Sequence, residues 1–182
     1  MLPKFTALCA FLAIFSSSAA YTITPNIIEG VPDFLNISTA PFVKIGSGYY
    51  IIESVARKNW YGAYESCRQL NAELITFESV EELKLITQYI EAVLSPTGLG
   101  LFWTSGNDLA NQDKHVWFSN GQPVPSDLFA KGEPNNANDE ERCDAFKVLD
   151  ETNPGMNDCN CEIKRRYVCK APQPVTASFI IF

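Results

Sequence analysis

Five oxygen-bearing side chains in the last third of the chain have the types that a hard cation binds. They are Glu133, Asn135, Glu141, Asn157 and Asp158. Calcium takes six to eight oxygen ligands at roughly 2.3–2.6 Å, from carboxylates, amide carbonyls and waters. Three carboxylates and two carboxamides would supply much of such a shell. The sequence therefore predicts a calcium site built from these five residues.

The cysteines bracket this set in a fixed register. Glu133-Pro134-Asn135 is followed by Glu141, which stands two residues before Cys143, and Asn157-Asp158 then precedes Cys161. This order resembles the sugar-binding calcium site of C-type lectins. In isolation, Glu-Pro-Asn would be an ordinary turn sequence. The combination with the cysteines is what carries the resemblance.

Two further motifs extend the resemblance to roughly residues 42–170. The run from Lys58 to Cys67 is similar to the family's first helix, and Tyr167-Val168-Cys169 is similar to its last strand. The resemblance implies an α+β C-type lectin fold, with two helices, small antiparallel sheets and a long irregular calcium-binding loop. It also implies two disulfides, Cys67–Cys169 and Cys143–Cys161.

The resemblance assigns a role to each residue of the site. It implies that all five bind one calcium ion and the sugar, with the Glu133–Pro134 peptide bond in the cis form. Glu133 and Glu141 would accept hydrogen bonds from two vicinal hydroxyls, while Asn135 and Asn157 would donate to them. In the family, the Glu-Pro-Asn order goes with mannose-type sugars and Gln-Pro-Asp goes with galactose. Neighbouring loop residues can reverse this preference, so a galactose-binding lectin is an alternative.

Two residues depart from the family pattern. Met156 stands where the family has a tryptophan, next to the site but not among its ligands. Arg142 stands where many members have an acid for a second, auxiliary calcium. Since a fixed cation would repel that metal, we expect one functional calcium ion. Asn107, Asp108 and Asp113 could form another acidic site, but a polar turn is the expected structure.

The N-terminus has the pattern of a signal peptide. Lys4 precedes an apolar run, residues 7–15, and the small residues Ser18-Ala19-Ala20 follow. This predicts a signal peptide at residues 1–20, with a membrane anchor as the alternative. An N-terminal segment at 21–41, the lectin domain at 42–170 and a C-terminal tail at 171–182 would follow. The predicted location is therefore secreted and extracellular, where Asn36 lies in a glycosylation sequon.

The composition bears on the partners and on the compartment. The formal net charge is −7, and no basic patch with interleaved aromatics indicates nucleic acid. No later stretch reaches transmembrane length. Without Cys9, five cysteines remain, an odd number that leaves Cys159 unpaired. It could be a free thiol, an alternative partner of Cys143, or a bridge to another chain in a homo- or hetero-oligomer.

Several elements are predicted to position the site. Asn59 would cap a helix starting at Trp60, in which Tyr61, Tyr64, Cys67 and Leu70 follow at a helical three-residue spacing and Cys67 faces inward. Ser79 and Glu82 form a capping-box pattern for a second helix that runs to about Leu94. That helix would have one apolar face, made of Leu83, Ile86, Ile90 and Val93. Strands are predicted at 42–45, 49–52, 74–77, 101–104, 115–118, 145–149 and 166–169, with an irregular loop at 119–143.

The function follows from the predicted site. A secreted, calcium-dependent lectin that recognises microbial or cell-surface glycans is the first hypothesis, and agglutination and innate immune recognition are the roles that the resemblance implies. A lectin-like domain that binds protein, lipid or ice is the second. A hydrolase that uses Glu133 and Glu141 is the weakest. His115 is the only histidine and no catalytic signature accompanies it, so an enzyme is not expected.

Overall fold

The computed structural model describes residues 23–29, 39–94, 100–148, 153–173 and 175–181. The predicted signal peptide and Asn36 lie outside these ranges, so both stay predictions. Within the described residues, no helix is long and apolar enough to cross a membrane.

The first helix, α1, spans Trp60–Gln69 and begins at Asn59, whose side-chain oxygen accepts a hydrogen bond from the Gly62 amide at 3.0 Å. Cys67 is buried as predicted, but Tyr61 and Leu70 are 43% and 44% exposed. Each three-residue step turns the helix by 300°, so a stripe at that spacing winds off the buried face. Trp60, Ala63, Ser66 and Cys67 form the buried face instead.

The second helix, α2, spans Val80–Val93 and begins at Ser79, whose hydroxyl accepts from the Glu82 amide at 3.2 Å. The Glu82 carboxylate accepts from the Glu78 amide at 2.7 Å. The predicted capping box would have it accept from the Ser79 amide instead. Leu83, Ile86 and Ile90 are buried as predicted, whereas Val93 is 53% exposed. The predicted apolar face is therefore correct except at the last turn.

The main sheet of the described residues is larger than predicted. Its strands lie in the order β2 (Val43–Ile45), β3 (Gly48–Lys58), β9 (Arg165–Lys170), β5 (Leu101–Asn107), β7 (Cys143–Lys147) and β8 (Met156–Cys159). The short strands β4 (Glu73–Leu74) and β6 (Val116–Trp117) pair with β9 and β5. The β5–β9 pair is parallel and the other pairs are antiparallel. A separate antiparallel ribbon joins β1 (Ile23–Glu29) to β10 (Val175–Ile181), which lies in the predicted C-terminal tail.

Two segments differ from the predicted strands. The strand expected at 74–77 is shorter in the structure, where β4 ends at Leu74. Beyond Leu74 the backbone makes single hydrogen bonds instead of a ladder: the Ile75 amide donates to the Val168 carbonyl at 2.9 Å. Strand β8 was not predicted, since its four residues include Asn157 and Asp158, which have low strand propensity. Pairing with β7 and the burial of Met156 and Cys159 outweigh that propensity.

Two disulfides hold the sheet to its neighbours. Cys67–Cys169 joins α1 to β9, and Cys143–Cys161 joins β7 to the segment after β8. These are the pairings that the family resemblance implies. Each should stabilise the fold by about 2–4 kcal/mol. The second bridge also fixes the end of the hairpin that carries Asn157 and Asp158.

Candidate functional site

The loop that carries Glu133, Pro134 and Asn135 is anchored on the beginning of β8. The Ala130 amide donates to the Met156 carbonyl at 2.9 Å. Gly155 has a φ of +126°, and a Cβ there would lie 2.6 Å from the Ala130 nitrogen. This close approach requires glycine. The loop is therefore held against the strand that supplies the other predicted ligands.

Asp158 is the buried centre of the site. Its side chain lies in β8, and the residue is 0% exposed. One carboxylate oxygen accepts from the Asn135 amide at 3.0 Å and the other from the Asn136 amide at 2.6 Å. The carboxylate thus positions the backbone immediately after Pro134.

Glu141 lies at the other end of the same loop. Its carboxylate accepts from the Ala137 amide at 3.1 Å, and its own amide donates to the Asn136 side chain at 3.1 Å. A short 3₁₀ turn, Ala137–Asp139, lies between Asn136 and Glu141. Asn136, Asn138 and Asp139 have positive φ, which Asn and Asp tolerate better than most residues. The polar run in the sequence is therefore a structured turn.

Glu133 and Asn135 face each other across Pro134. The Asn135 side-chain amide donates to the Glu133 carboxylate at 2.5 Å. The Glu133–Pro134 peptide bond is cis, as the family resemblance implies.

Asn157 presents an acceptor without a partner. Its Nδ2 donates to the Asp158 carbonyl at 2.7 Å, which fixes the amide. Its Oδ1 is buried and accepts no hydrogen bond from the described part of the chain. A buried carbonyl oxygen without a partner carries a substantial desolvation penalty. A cation would remove that penalty.

The pKa values of Glu133 and Glu141 are both raised. Burial raises the pKa of Glu133, and the Asp158 charge adds to this shift. Burial also raises the pKa of Glu141, with a further contribution from Asp158. The five predicted residues therefore fit a divalent cation in charge and ligand type. Among the described residues, no group of three or more acidic, histidine or cysteine side chains is close enough to hold a metal ion, so Glu133, Glu141 and Asp158 do not converge on one point in the structure.

Another acidic region, around Asp108, lies beside the five candidate ligands, and its buried carboxylate is paired with a cation of the chain. Asp108 is 1% exposed and accepts from Arg142 Nε at 2.5 Å. Its other carboxylate oxygen accepts from the Asp113 amide at 2.7 Å. Asp108 and Asp113 are thus joined in a turn, as expected, and Arg142 neutralises the buried carboxylate.

His115 connects this region to a residue that the sequence analysis missed. Its Nδ1 lies 2.8 Å from Asp144 Oδ1, and its Nε2 lies 4.0 Å from Asp108 Oδ2. Asp144 is fully buried, and Gly106 leaves room for its carboxylate, since a Cβ there would lie 2.3 Å from Oδ2. A charged residue inside the apolar strand β7 was the only sequence signal.

The pKa values of Asp144 and His115 are both raised. Burial raises the pKa of Asp144 to about 6, although His115 opposes the shift. Burial would lower the pKa of His115, but its hydrogen bond to Asp144 and the nearby carboxylates outweigh that effect and raise it. A proton is therefore held between them at mildly acidic pH.

Cys159 is a buried free thiol. The Asn157 side-chain amide lies 3.5 Å from its sulfur, and burial raises its pKa to about 11. Of the three alternatives for this residue, the arrangement favours the free thiol, because a buried sulfur cannot contact another chain without local opening.

Comparisons with known proteins agree with this fold. The family model described as the lectin C-type domain matches residues 56–171. C-type lectin 37Da of Drosophila melanogaster is 34% identical over the whole length of both chains. The C-type lectin domain of murine dendritic cell inhibitory receptor 2, solved in complex with N-glycan, matches 74% of this chain and 98% of its own, with a TM-score of 0.60 and 24% identity. A calcium-independent type II antifreeze protein matches 76% of this chain and 96% of its own, with a TM-score of 0.60 and 18% identity. The chain therefore belongs to the C-type lectin domain family, whose members are generally calcium-binding, carbohydrate-binding proteins rather than enzymes.

Proposed function

We propose that this protein is a secreted lectin that binds glycans through one calcium ion held by Glu133, Asn135, Glu141, Asn157 and Asp158. The observation that carries the proposal is the combination of an unpartnered, buried Asn157 Oδ1 with three carboxylates, two of which have raised pKa values. The charge count and the ligand types suit calcium, which supplies a Lewis-acid centre for hydroxyl oxygens.

The residues of the site would have separate roles in holding the loop and in binding the sugar. Asp158 keeps its two backbone hydrogen bonds and thereby holds the loop at Asn135 and Asn136. Glu133 and Glu141 would accept hydrogen bonds from two vicinal sugar hydroxyls, and the amides of Asn135 and Asn157 would donate to the same hydroxyls. Opening of the Asn135–Glu133 hydrogen bond would release both groups for the sugar.

A mannose-type preference is the proposed specificity. It rests on the Glu-Pro-Asn order at 133–135. Galactose is the alternative, because the groups beside the site can change which pair of hydroxyls fits. Binding of microbial or cell-surface glycans in innate immune recognition is the biological role that we propose. A single shallow site gives weak binding, so agglutination would require several copies.

The test is binding of the oxidised domain to mannose and galactose resins, in calcium and in chelator. We expect retention on mannose in calcium and elution by chelator. Retention on galactose alone would keep the calcium site and reject the mannose assignment. Absence of calcium-dependent retention on either resin and on a broad glycan array would overturn the lectin proposal.

A lectin-like domain with a non-sugar partner is a second candidate. One fold relative is a calcium-independent antifreeze protein, so the same architecture supports other ligands. The buried acceptor at Asn157 disfavours this candidate here, because a calcium-independent surface would leave Oδ1 without a partner. Unchanged thermal stability on addition of calcium would favour it.

A further inference from the structure

The first and last strands of the described residues form a sheet of their own. β1 and β10 pair in an antiparallel ribbon that runs from the Ile23–Ile181 pair to the Glu29–Val175 pair. Among the described residues, neither strand pairs with a second strand along its outer edge. Each outer edge therefore presents backbone amides and carbonyls that can pair with another strand. A two-stranded ribbon is marginally stable by itself, so a further strand would stabilise it.

The outer edge of β1 is poorly suited to such pairing. Pro25 has no amide hydrogen, and proline is tolerated within a strand where its nitrogen faces away from the partner strand. The outer edge of β1 therefore lacks a hydrogen-bond donor at Pro25. Glu29 adds a charge to the same strand. Prolines and charged residues are features that keep edge strands from pairing.

The outer edge of β10 has none of these features. Its sequence, Val-Thr-Ala-Ser-Phe-Ile-Ile, contains no proline, glycine or charged residue. Most of its residues are β-branched or aromatic, which are the types that favour strands. Pro25 is paired with Phe179, so the alternation of an antiparallel pair directs the backbone groups of Ala177 and Phe179 to the free edge. β10 is therefore the edge that is open to a further strand.

A second copy of β10 fits this edge. In an isologous pair about a twofold axis, both chains use the same strand, and the strand runs antiparallel to its copy. A pairing centred on Ser178 places Ala177 of one chain opposite Phe179 of the other, so that their outward backbone groups meet. Ser178 lies opposite its own copy. Since no residue of β10 is charged, no like charges face each other across the pair.

The connection into β10 begins far from the proposed calcium site. The Ala171 amide donates to the Tyr49 carbonyl at 2.8 Å, and the Gln173 side-chain amide donates to the Ser47 carbonyl at 2.9 Å. These contacts hold the chain at the β2–β3 hairpin just before β10. In the main sheet β2 lies at one edge, whereas β8, which carries two of the proposed ligands, lies at the other. Pairing through β10 would therefore leave the calcium site uncovered.

We infer that the protein forms a twofold dimer in which β10 pairs with β10 of a second copy. The result is a four-stranded sheet in the order β1–β10–β10–β1. Both outer edges of this sheet are β1, so assembly stops at two chains. The inference does not depend on the proposed function. Together with that function, the dimer would supply two sugar sites and therefore avidity for a surface that carries many glycans.

The test is the molar mass of the oxidised protein in chelator, measured by sedimentation equilibrium over a range of concentrations. Chelator removes any contribution of a calcium site, so the result is independent of sugar binding. We expect twice the mass of one chain at high concentration and dissociation on dilution, because pairing of one short strand buries little area. A wild-type protein that stays monomeric up to its solubility limit would leave this edge to a strand of another protein and would overturn the inference. Assemblies of more than two chains would also overturn it.

Charges at the centre of the pairing test the register. Ser178→Lys and Ser178→Asp each place like charges opposite each other across the twofold axis, and each should raise the dimer dissociation constant about fivefold. An equimolar mixture of the two variants should restore dimers, because lysine then faces aspartate. Asn26→Lys, on β1 directly opposite Ser178, is the matched control and should dimerise as wild type does.

A proline at the free edge tests the backbone pairing. Ala177→Pro removes an outward amide of β10 and should abolish the dimer, while the pairs with β1 on either side keep their amides. At a dilution where wild type is monomeric, this variant should unfold at the same temperature as wild type, which shows that the domain is intact.

Two further outcomes would overturn the inference. A dimer that survives in Ala177→Pro and in both Ser178 variants would place the interface elsewhere. Failure of the mixed Ser178 variants to form dimers, under conditions in which wild type does, would reject the twofold pairing centred on this residue.

Discussion

Two acidic regions lie side by side in this domain, and their buried carboxylates have different kinds of partner. In the first, Arg142 donates to the Asp108 carboxylate at 2.5 Å, and His115 bonds Asp144 at 2.8 Å. In the second, the Asp158 carboxylate accepts hydrogen bonds from two backbone amides, and Glu133 and Glu141 have raised pKa values.

The difference indicates which region would gain more from a metal ion. Asp108 and Asp144 already have a guanidinium and an imidazole as partners, and the guanidinium repels a further cation, although Asp144 Oδ2 is also buried without a hydrogen bond from the described residues. Acids that are matched by amides alone, beside an unpartnered carbonyl oxygen, gain from a divalent ion. The contrast therefore favours one calcium ion, bound at the second region.

The largest expected effect is loss of calcium binding in Asp158→Asn. Removal of a full charge from the buried centre of the site should weaken calcium affinity by about 100-fold or more. Asp139→Asn, an exposed loop carboxylate three residues before Arg142, is the matched control and should change affinity less than about twofold. Calorimetric calcium titration measures both. Equal calcium affinities in the two variants would show that Asp158 does not bind the ion.

The next effect concerns the region with its own cation. Arg142→Met leaves the Asp108 carboxylate buried without its partner and should lower the free energy of unfolding by about 2–3 kcal/mol. Calcium affinity should change little, since Arg142 is not a ligand. Arg68→Met, which breaks an exposed ion pair with Glu73, should cost less than about 0.5 kcal/mol. Chemical denaturation in chelator distinguishes the two. A gain of a second calcium ion in Arg142→Met would instead show that this region retains a metal site.

The pH dependence of the metal-free domain should reflect the His115–Asp144 pair. Both pKa values are raised in the folded state, so the folded state holds these protons more tightly than the unfolded state. The stabilisation from Asp144 is present below about pH 4 and is lost as pH rises through about 6. The stabilisation from His115 is present below about pH 6.5 and is lost as pH rises through its raised value.

The measurement is the free energy of unfolding in chelator from pH 5 to 8, for wild type and the double variant His115→Gln/Asp144→Asn, which removes both groups. Wild type should lose stability relative to the double variant as pH rises across this range. Parallel curves would show that the pair takes up no proton on folding.

The smallest effect is expected at Cys159, a buried residue next to the proposed ligand Asp158. Cys159→Ala should cost about 1 kcal/mol of stability and should leave calcium affinity within about threefold of wild type. The thiol is 1% exposed and its pKa is raised, so a thiol reagent should modify it only after denaturation. A disulfide-linked dimer on non-reducing electrophoresis, absent in the variant, would contradict the buried free thiol.

The sequence predicted the elements that have strong local signals. Asn59 and Ser79 begin the two helices because each side chain accepts a hydrogen bond from the first turn. The register of the cysteines predicted the bridges through the family resemblance. Strand β8 was not predicted, because its pairing with β7 outweighs the low strand propensity of Asn157 and Asp158.

The calcium site at the five residues stays a prediction, and the structure bears only on where those residues lie. The five predicted ligand residues lie on one loop and the adjacent strand, because their order is carried by the motif. Asp144 was missed, because one acid inside an apolar strand does not reveal that Gly106 and His115 lie opposite it.

Calcium titration by isothermal calorimetry of the oxidised domain tests the central claim most directly. The account predicts one calcium ion per chain in wild type and in Arg142→Met, and loss of that ion in Asp158→Asn. No calcium binding by wild type, or binding of two ions, would contradict it.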